Sequence, residues 1–101
     1  MKTGIELIAE ERQRQIEVEG WTPQHDDEHC KGELANAAAV YAIDPMGGDA
    51  TNMIKTLWPW DKSWLKISCN ENTEDNPVGR IRDLQKAGAL IAAEIDRLQR
   101  L

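Results

Sequence analysis

Residues 77–101 read PVGRIRDLQKAGALIAAEIDRLQRL, and within them Ile81, Leu84, Gly88, Ile91, Ile95 and Leu98 are spaced alternately three and four apart. That alternation is the period of a helix–helix seam, and Ala87, Leu90 and Ala92 lie beside it. Asn76-Pro77 reads as a cap with proline in the first turn, with Gly79 delaying regular helix to about Arg80. The seam suits packing against the chain's own earlier helices, and it also suits a homodimer through this last helix. Gly88 and Ala92 leave room for another backbone to approach.

Two further helices precede it. Thr3 followed by Glu6 has the spacing of a capping box, which predicts a first helix from about Gly4 to Glu19. Its apolar stripe is Ile5, Ile8, Ala9, Arg12 and Ile16, so Arg12 either snorkels past core positions or points into a polar pocket. Gly20-Trp21-Thr22-Pro23 has the chemistry of a turn. Asp26 or Asp27 then suits the N-cap of a second helix running to about Ala42, with Leu34, Ala38 and Tyr41 facing inward beside Ala35 and Ala42.

Between Ile43 and Asn76 the periodicity fails. Pro45, Gly47-Gly48 and Trp58-Pro59-Trp60-Asp61-Lys62-Ser63-Trp64 fall in this stretch, which is read as a long Trp-rich loop with room for one or two short helices. A composition of four Trp, one Tyr and no Phe is unusual, because Phe fills a core without a donor that needs a partner. Three of the four tryptophans lie within this loop and the fourth follows the first helix stop. The expected fold class is therefore all-α: one domain over residues 1–101, with three main helices and the Trp loop between the second and third.

Composition narrows the function. The chain has 12 Lys and Arg against 18 Asp and Glu, a formal net charge of −6, which argues against binding duplex nucleic acid. The charge is segregated: residues 1–50 carry 4 basic and 11 acidic groups, and residues 51–101 carry 8 and 7. Cys30 and Cys69 form no CxxC or Cys/His quartet, and no segment approaches the roughly 18 apolar residues of a membrane span. A cytoplasmic protein without a membrane partner is expected.

Trp21, Trp58, Trp60 and Trp64 are the candidates for contact with a ligand, since an indole stacks on a base or cages a cation and carries one N–H to orient the guest. Lys62 and Lys66 lie beside them in sequence. Arg80, Arg82 and Lys86 begin the last helix and would make a local anion site if they converge on the loop. His25 and His29 are four apart, and with Glu33 they are the candidate metal ligands, although HDDEH lacks the HExxH order of a metalloprotease. The acids Glu6, Glu10, Glu33, Asp83, Glu94 and Asp96 do not reproduce the ExxE and ExxD spacing of small all-helical pyrophosphohydrolases.

The segments GIELIAEERQRQIEVEGWTPQHDDEH, GELANAAAVYA, WPWDKSW and RIRDLQKAGALIAAEIDRL together resemble a family of short bacteriophage and prophage proteins. That likeness spans most of the chain and implies an accessory role in host cytoplasm, without implying a biochemical activity. Gly20-Trp21, Pro23, Asp26-Asp27, Lys31 and Leu34 also follow the order seen in the RyR domain, a small helical module to which this third of the chain is similar. Some RyR modules bind adenine nucleotides, so the likeness implies a nucleotide pocket near Trp21 and Asp26-Asp27.

The leading expectation is a non-enzymatic binding module for a nucleotide or nucleotide-derived signal, with a counter-defence role. Its expected contacts are Arg12, Trp21, His25, Asp26, Asp27, Trp58, Trp60, Lys62, Trp64, Arg80 and Arg82, and it needs no cofactor. The alternatives are a nucleoside triphosphate pyrophosphohydrolase, which would bring Mg2+ with it, and an acidic inhibitor of a host protein.

Overall fold

A computed structural model of the chain describes residues 1–71, 74, 75 and 77–101. Among these residues there are five α-helices, one 3-10 turn and no strand: α1 (Gly4–Glu17), α2 (Pro23–Asp27), α3 (Glu33–Ala42), α4 (Ala50–Leu57), the 3-10 turn (Lys62–Trp64) and α5 (Pro77–Gln99). The all-α class holds, and the count of three helices is corrected to five. No helix among the described residues is long and apolar enough to cross a membrane.

The Thr3 capping box opens α1, with the Thr3 hydroxyl accepting from the Glu6 N–H and the Glu6 carboxylate accepting from the Thr3 N–H. The helix ends at Glu17, and Gly20 at φ +74° turns the chain so that the Trp21 N–H donates to the Gln15 carbonyl.

The expected second helix is two helices. Thr22, not Asp26 or Asp27, caps α2, and Pro23 takes the first helical position, where its missing N–H costs nothing. Gly32 at φ +81° then breaks the path before α3. The stretch read as irregular holds α4 and the 3-10 turn. The Asn76 cap expected for α5 lies outside the described residues.

α5 packs along both α1 and α3 and touches α2, while α4 packs on α3. The core joins Leu34, Ala37, Ala38 and Tyr41 of α3 to Ala87, Leu90 and Ala93 of α5. Small residues on both helices bring the two backbones close and leave a shallow core short of large aliphatics. Trp21, Trp58, Trp60, Leu65 and Ile67 pack against it and supply the missing bulk.

Two faces differ from the sequence reading. On α1 the fully buried side chains are Glu11 and Gln15, whereas Ile5 and Ala9 of the expected stripe are exposed. On α5 the inward residues include Asp83, Ala87, Leu90, Ala93 and Arg97. The expected seam residues Ile81, Leu84, Ile91, Ile95 and Leu98 point outward instead. Gly88 meets α1: a Cβ there would come within 2.5 Å of Ile8 Cδ1, so the glycine gives the Ile8 side chain its place.

Candidate functional site

The Trp loop is fastened at three points. The Tyr41 hydroxyl of α3 accepts the Lys66 N–H at 3.1 Å, and the buried Asp83 carboxylate of α5 accepts the Ser68 and Cys69 N–H groups at 2.7 and 3.0 Å. At the tip, Asp61 accepts the Ser63 N–H at 2.8 Å and opens the 3-10 turn. The Ser63 hydrogen bonds hold the Asp61 carboxyl below its ordinary range. A segment with little regular structure is thereby held as a wall.

That wall closes an aromatic cleft of about 370 Å³, lined by Trp21, His25, His29, Trp58, Trp60, Asp61 and Trp64. Trp21 and His25 lie parallel at 5.9 Å, and the Trp58 and Trp60 rings meet edge to face at 5.3 Å. His29 stands edge-on to both His25 (4.7 Å) and Trp60 (5.3 Å). The Trp58 indole N–H donates to the Asp61 carbonyl, whereas the Trp60 Nε1 is buried without a hydrogen-bond partner. A buried donor lacking an acceptor costs free energy. Trp64 is the most exposed of the four tryptophans, at 62 %.

A second cleft, of about 300 Å³, adjoins the first and shares Trp21 and Trp64 with it. Its charged lining is Arg14, Lys66, Arg82 and Lys86 against Glu11 and Glu19, four cations to two carboxylates in a chain of net charge −6. Glu11 organises this end. Its buried carboxylate accepts from Arg14 at 2.8 and 3.0 Å and from Arg82 at 2.7 Å. Burial pushes the Glu11 carboxyl up, but the two guanidiniums outweigh that and leave it below its ordinary range. Bonding to Glu11 in turn raises Arg14. Lys86 is lowered by burial and by the nearby Arg82 charge, and its ammonium sits 5.3 Å from the Tyr41 ring centroid while donating to the Lys66 carbonyl. The Gln15 Oε1, also buried in this wall, has no hydrogen-bond partner.

Of the residues expected from sequence, Trp21, His25, Trp58, Trp60 and Trp64 line the aromatic cleft and Arg82 lines the basic one. The others serve elsewhere. Arg12 bonds the buried Asp26 at 2.6 Å and the Trp21 carbonyl at 3.3 Å, tying α1 to α2, so neither snorkelling nor a pocket describes it. Asp27 pairs with Arg100 at the end of α5. Arg80 donates to the Tyr41, Ala42 and Ile43 carbonyls and caps the C-terminus of α3. Lys62, in the 3-10 turn, is exposed and lines neither cleft.

Sequence reasoning missed Arg14, Gln15, Glu11 and Asp61 as site residues. The available signal was the i,i+3 spacing of Glu11 and Arg14, which places an ion pair one helical step from the stripe. The metal candidates do not assemble. His29 bonds Glu33 at 3.2 Å and His25 bonds Asp26 at 3.3 Å, and among the described residues no three His, Cys, Asp or Glu side chains converge to hold an ion. Four of the acids considered for magnesium are committed as well: Glu6 to its capping box, Glu10 to Lys2, Asp83 to backbone amides and Glu94 to Arg97. Comparison with family models, curated proteins and solved structures finds no match to this chain.

Proposed function

We propose that the chain is a binding module for a nucleotide or nucleotide-derived signal. The base enters the aromatic cleft and the phosphates lie in the basic one. The observation that carries this reading is the shared wall: Trp21 and Trp64 border both a cleft of indoles and imidazoles and a cleft with excess positive charge. A planar aromatic group joined to an anion has this combination of surfaces, and each cleft falls within or near the size of small-ligand sites, roughly 300–1,000 Å³.

The unpartnered Trp60 donor supports a base with an acceptor at its edge, and the unpartnered Gln15 acceptor supports a hydroxyl or N–H of the guest near the phosphate end. Together with the likeness to short phage and prophage proteins, sequestering a host signal is the role this reading favours.

Tryptophan fluorescence titration with nucleosides, nucleoside mono-, di- and triphosphates and cyclic nucleotides tests it. Phosphorylated forms are expected to quench strongly, the bare nucleoside weakly, and inorganic phosphate not at all. Trp64→Ala removes a stacking surface without opening the core and is expected to weaken binding about tenfold or more, given ~1–3 kcal/mol per stacked base. Lys66→Ala weakens only the phosphorylated ligands, and Lys62→Ala changes nothing. Saturation by a choline-like cation with no response to nucleotides would overturn the reading in favour of an aromatic cage closed by Asp61.

A further inference from the structure

We infer that the outward seam of α5 is a homodimer interface, covered by the same face of a second copy of this chain. Ile81, Leu84, Ile91, Ile95 and Leu98 each stand 44–51 % exposed. They lie on the side of α5 away from Leu90, Ala93 and Arg97, and about half of each side chain is left uncovered by the fold, with Gly88 between them filled by Ile8 of α1. Isolated exposed aliphatics need no explanation, but five in register along one 23-residue helix do.

Three observations identify the occupant as a second copy. Ile81, Leu84, Ile91, Ile95 and Leu98 keep one heptad register on either side of Gly88, where Ile8 of α1 sits, and the partner that follows such a register is a helix of the same period, which this chain itself supplies. The seam carries no charge, and Gln85, Ala92 and Gln99 flank it on one side and Ala87, Glu94 and Leu101 on the other. The charged flanks are both engaged within the chain, Glu94 with Arg97 and Arg80, beside Ile81, with the Tyr41 and Ile43 carbonyls. A partner chosen by charge would find nothing to read here, whereas two acidic copies of net charge −6 meet without repulsion only at a neutral face.

The area is also sufficient. The five seam aliphatics together with the flanking Leu101, 90 % exposed, present on the order of 600 Å² per chain, so two copies bury about 1,200 Å², the lower edge of a stable specific interface. The thickness of the molecule agrees with a one-sided fold: its extents are 40 × 35 × 21 Å, and 21 Å is about two helix layers. Lys86 and Leu90 line the basic cleft from the inward side of α5, so pairing through the seam leaves both clefts open.

The test is the solution mass of the full chain by light scattering and native mass spectrometry. The parent is expected at twice its 11.4 kDa chain mass, and Ile91→Glu/Ile95→Glu at the monomer mass with unchanged helical circular dichroism and unchanged nucleotide quenching. Should the double glutamate variant lose helicity, Ile91→Gln decides, with dimer dissociation shifted to at least tenfold higher protein concentration. A parent that is monomeric at high micromolar concentration overturns the inference and leaves the seam to a different protein. A dimer that survives both variants overturns it as well, because the contact then lies elsewhere.

Discussion

Arg12 shows how one side chain on an apolar stripe can be decided by a partner fourteen residues away. Its guanidinium is 13 % exposed and Asp26 1 %, so the pair is nearly dry. Removing one member of such a pair strands the other, and Arg12→Met is expected to cost about 3 kcal/mol in urea unfolding. Glu11 sets a pH dependence of definite sign. Its folded pKa lies below the ordinary 4.5, so its contribution is fully present above that value and is lost as pH falls through the depressed pKa. The melting temperature is expected to drop below about pH 4.5, and Glu11→Gln should make that limb shallower. A limb of unchanged steepness would mean the Arg14 and Arg82 contacts do not stabilise the fold. At this scale the four tryptophans of the cleft were legible from composition, because Trp in place of Phe already points to a use for the indole. The cations were legible in part: Lys66, Arg82 and Lys86 line the basic cleft, but Arg14 was missed and Arg12, Lys62 and Arg80 lie elsewhere, since which of seven nearby Lys and Arg face a cleft depends on helix phase and on competing partners such as Asp26 and the α3 carbonyls.

At the scale of elements, helix existence was legible and helix facing was not. The caps at Thr3 and the 3-4 spacing of residues 81–98 located α1 and α5 because both are local signals. The inward face of α5 is built largely from alanines, whose burial leaves a weaker pattern than the Ile and Leu row on the opposite side. The break between α2 and α3 rests on Gly32, whose positive φ a non-glycine residue adopts at a cost. Gly32→Ala is therefore expected to lower stability by about 1–2 kcal/mol, while Gly4→Ala, at an open position of negative φ, should not. Gly88 gives a second element-scale test, through its contact with Ile8. In an Ile8→Ala background Gly88→Ala should stabilise α5 by about 1 kcal/mol through helix propensity. In the parent the clash with Ile8 offsets that gain, so thermal or urea unfolding of the four proteins should give a non-zero coupling.

Across the whole molecule, the net charge of −6 is an average that hides the site. The clefts lie where the acidic first helix meets the more basic second half of the chain, and Glu11 gathers Arg14 and Arg82 into one cation-rich wall beside the tryptophans. The fold places the α5 groups that line the basic cleft, Arg82, Lys86 and Leu90, away from its row of half-exposed aliphatics. Lys86 adds a pH signature to the proposed binding: its lowered pKa means its charge is lost on raising the pH before an ordinary lysine at 10.5 would lose it, so nucleotide affinity is expected to fall over that range. The central claim is that a nucleotide occupies the joined clefts, and the most direct measurement is the set of four indole N–H cross-peaks in a 15N–1H correlation spectrum during nucleotide titration. The account predicts that the Trp60 indole peak moves most, as its unpartnered N–H gains an acceptor, that Trp64 and Trp21 follow, and that Trp58, already bonded to Asp61, moves least. Four peaks that stay in place through millimolar mono-, di- and cyclic nucleotides would contradict it.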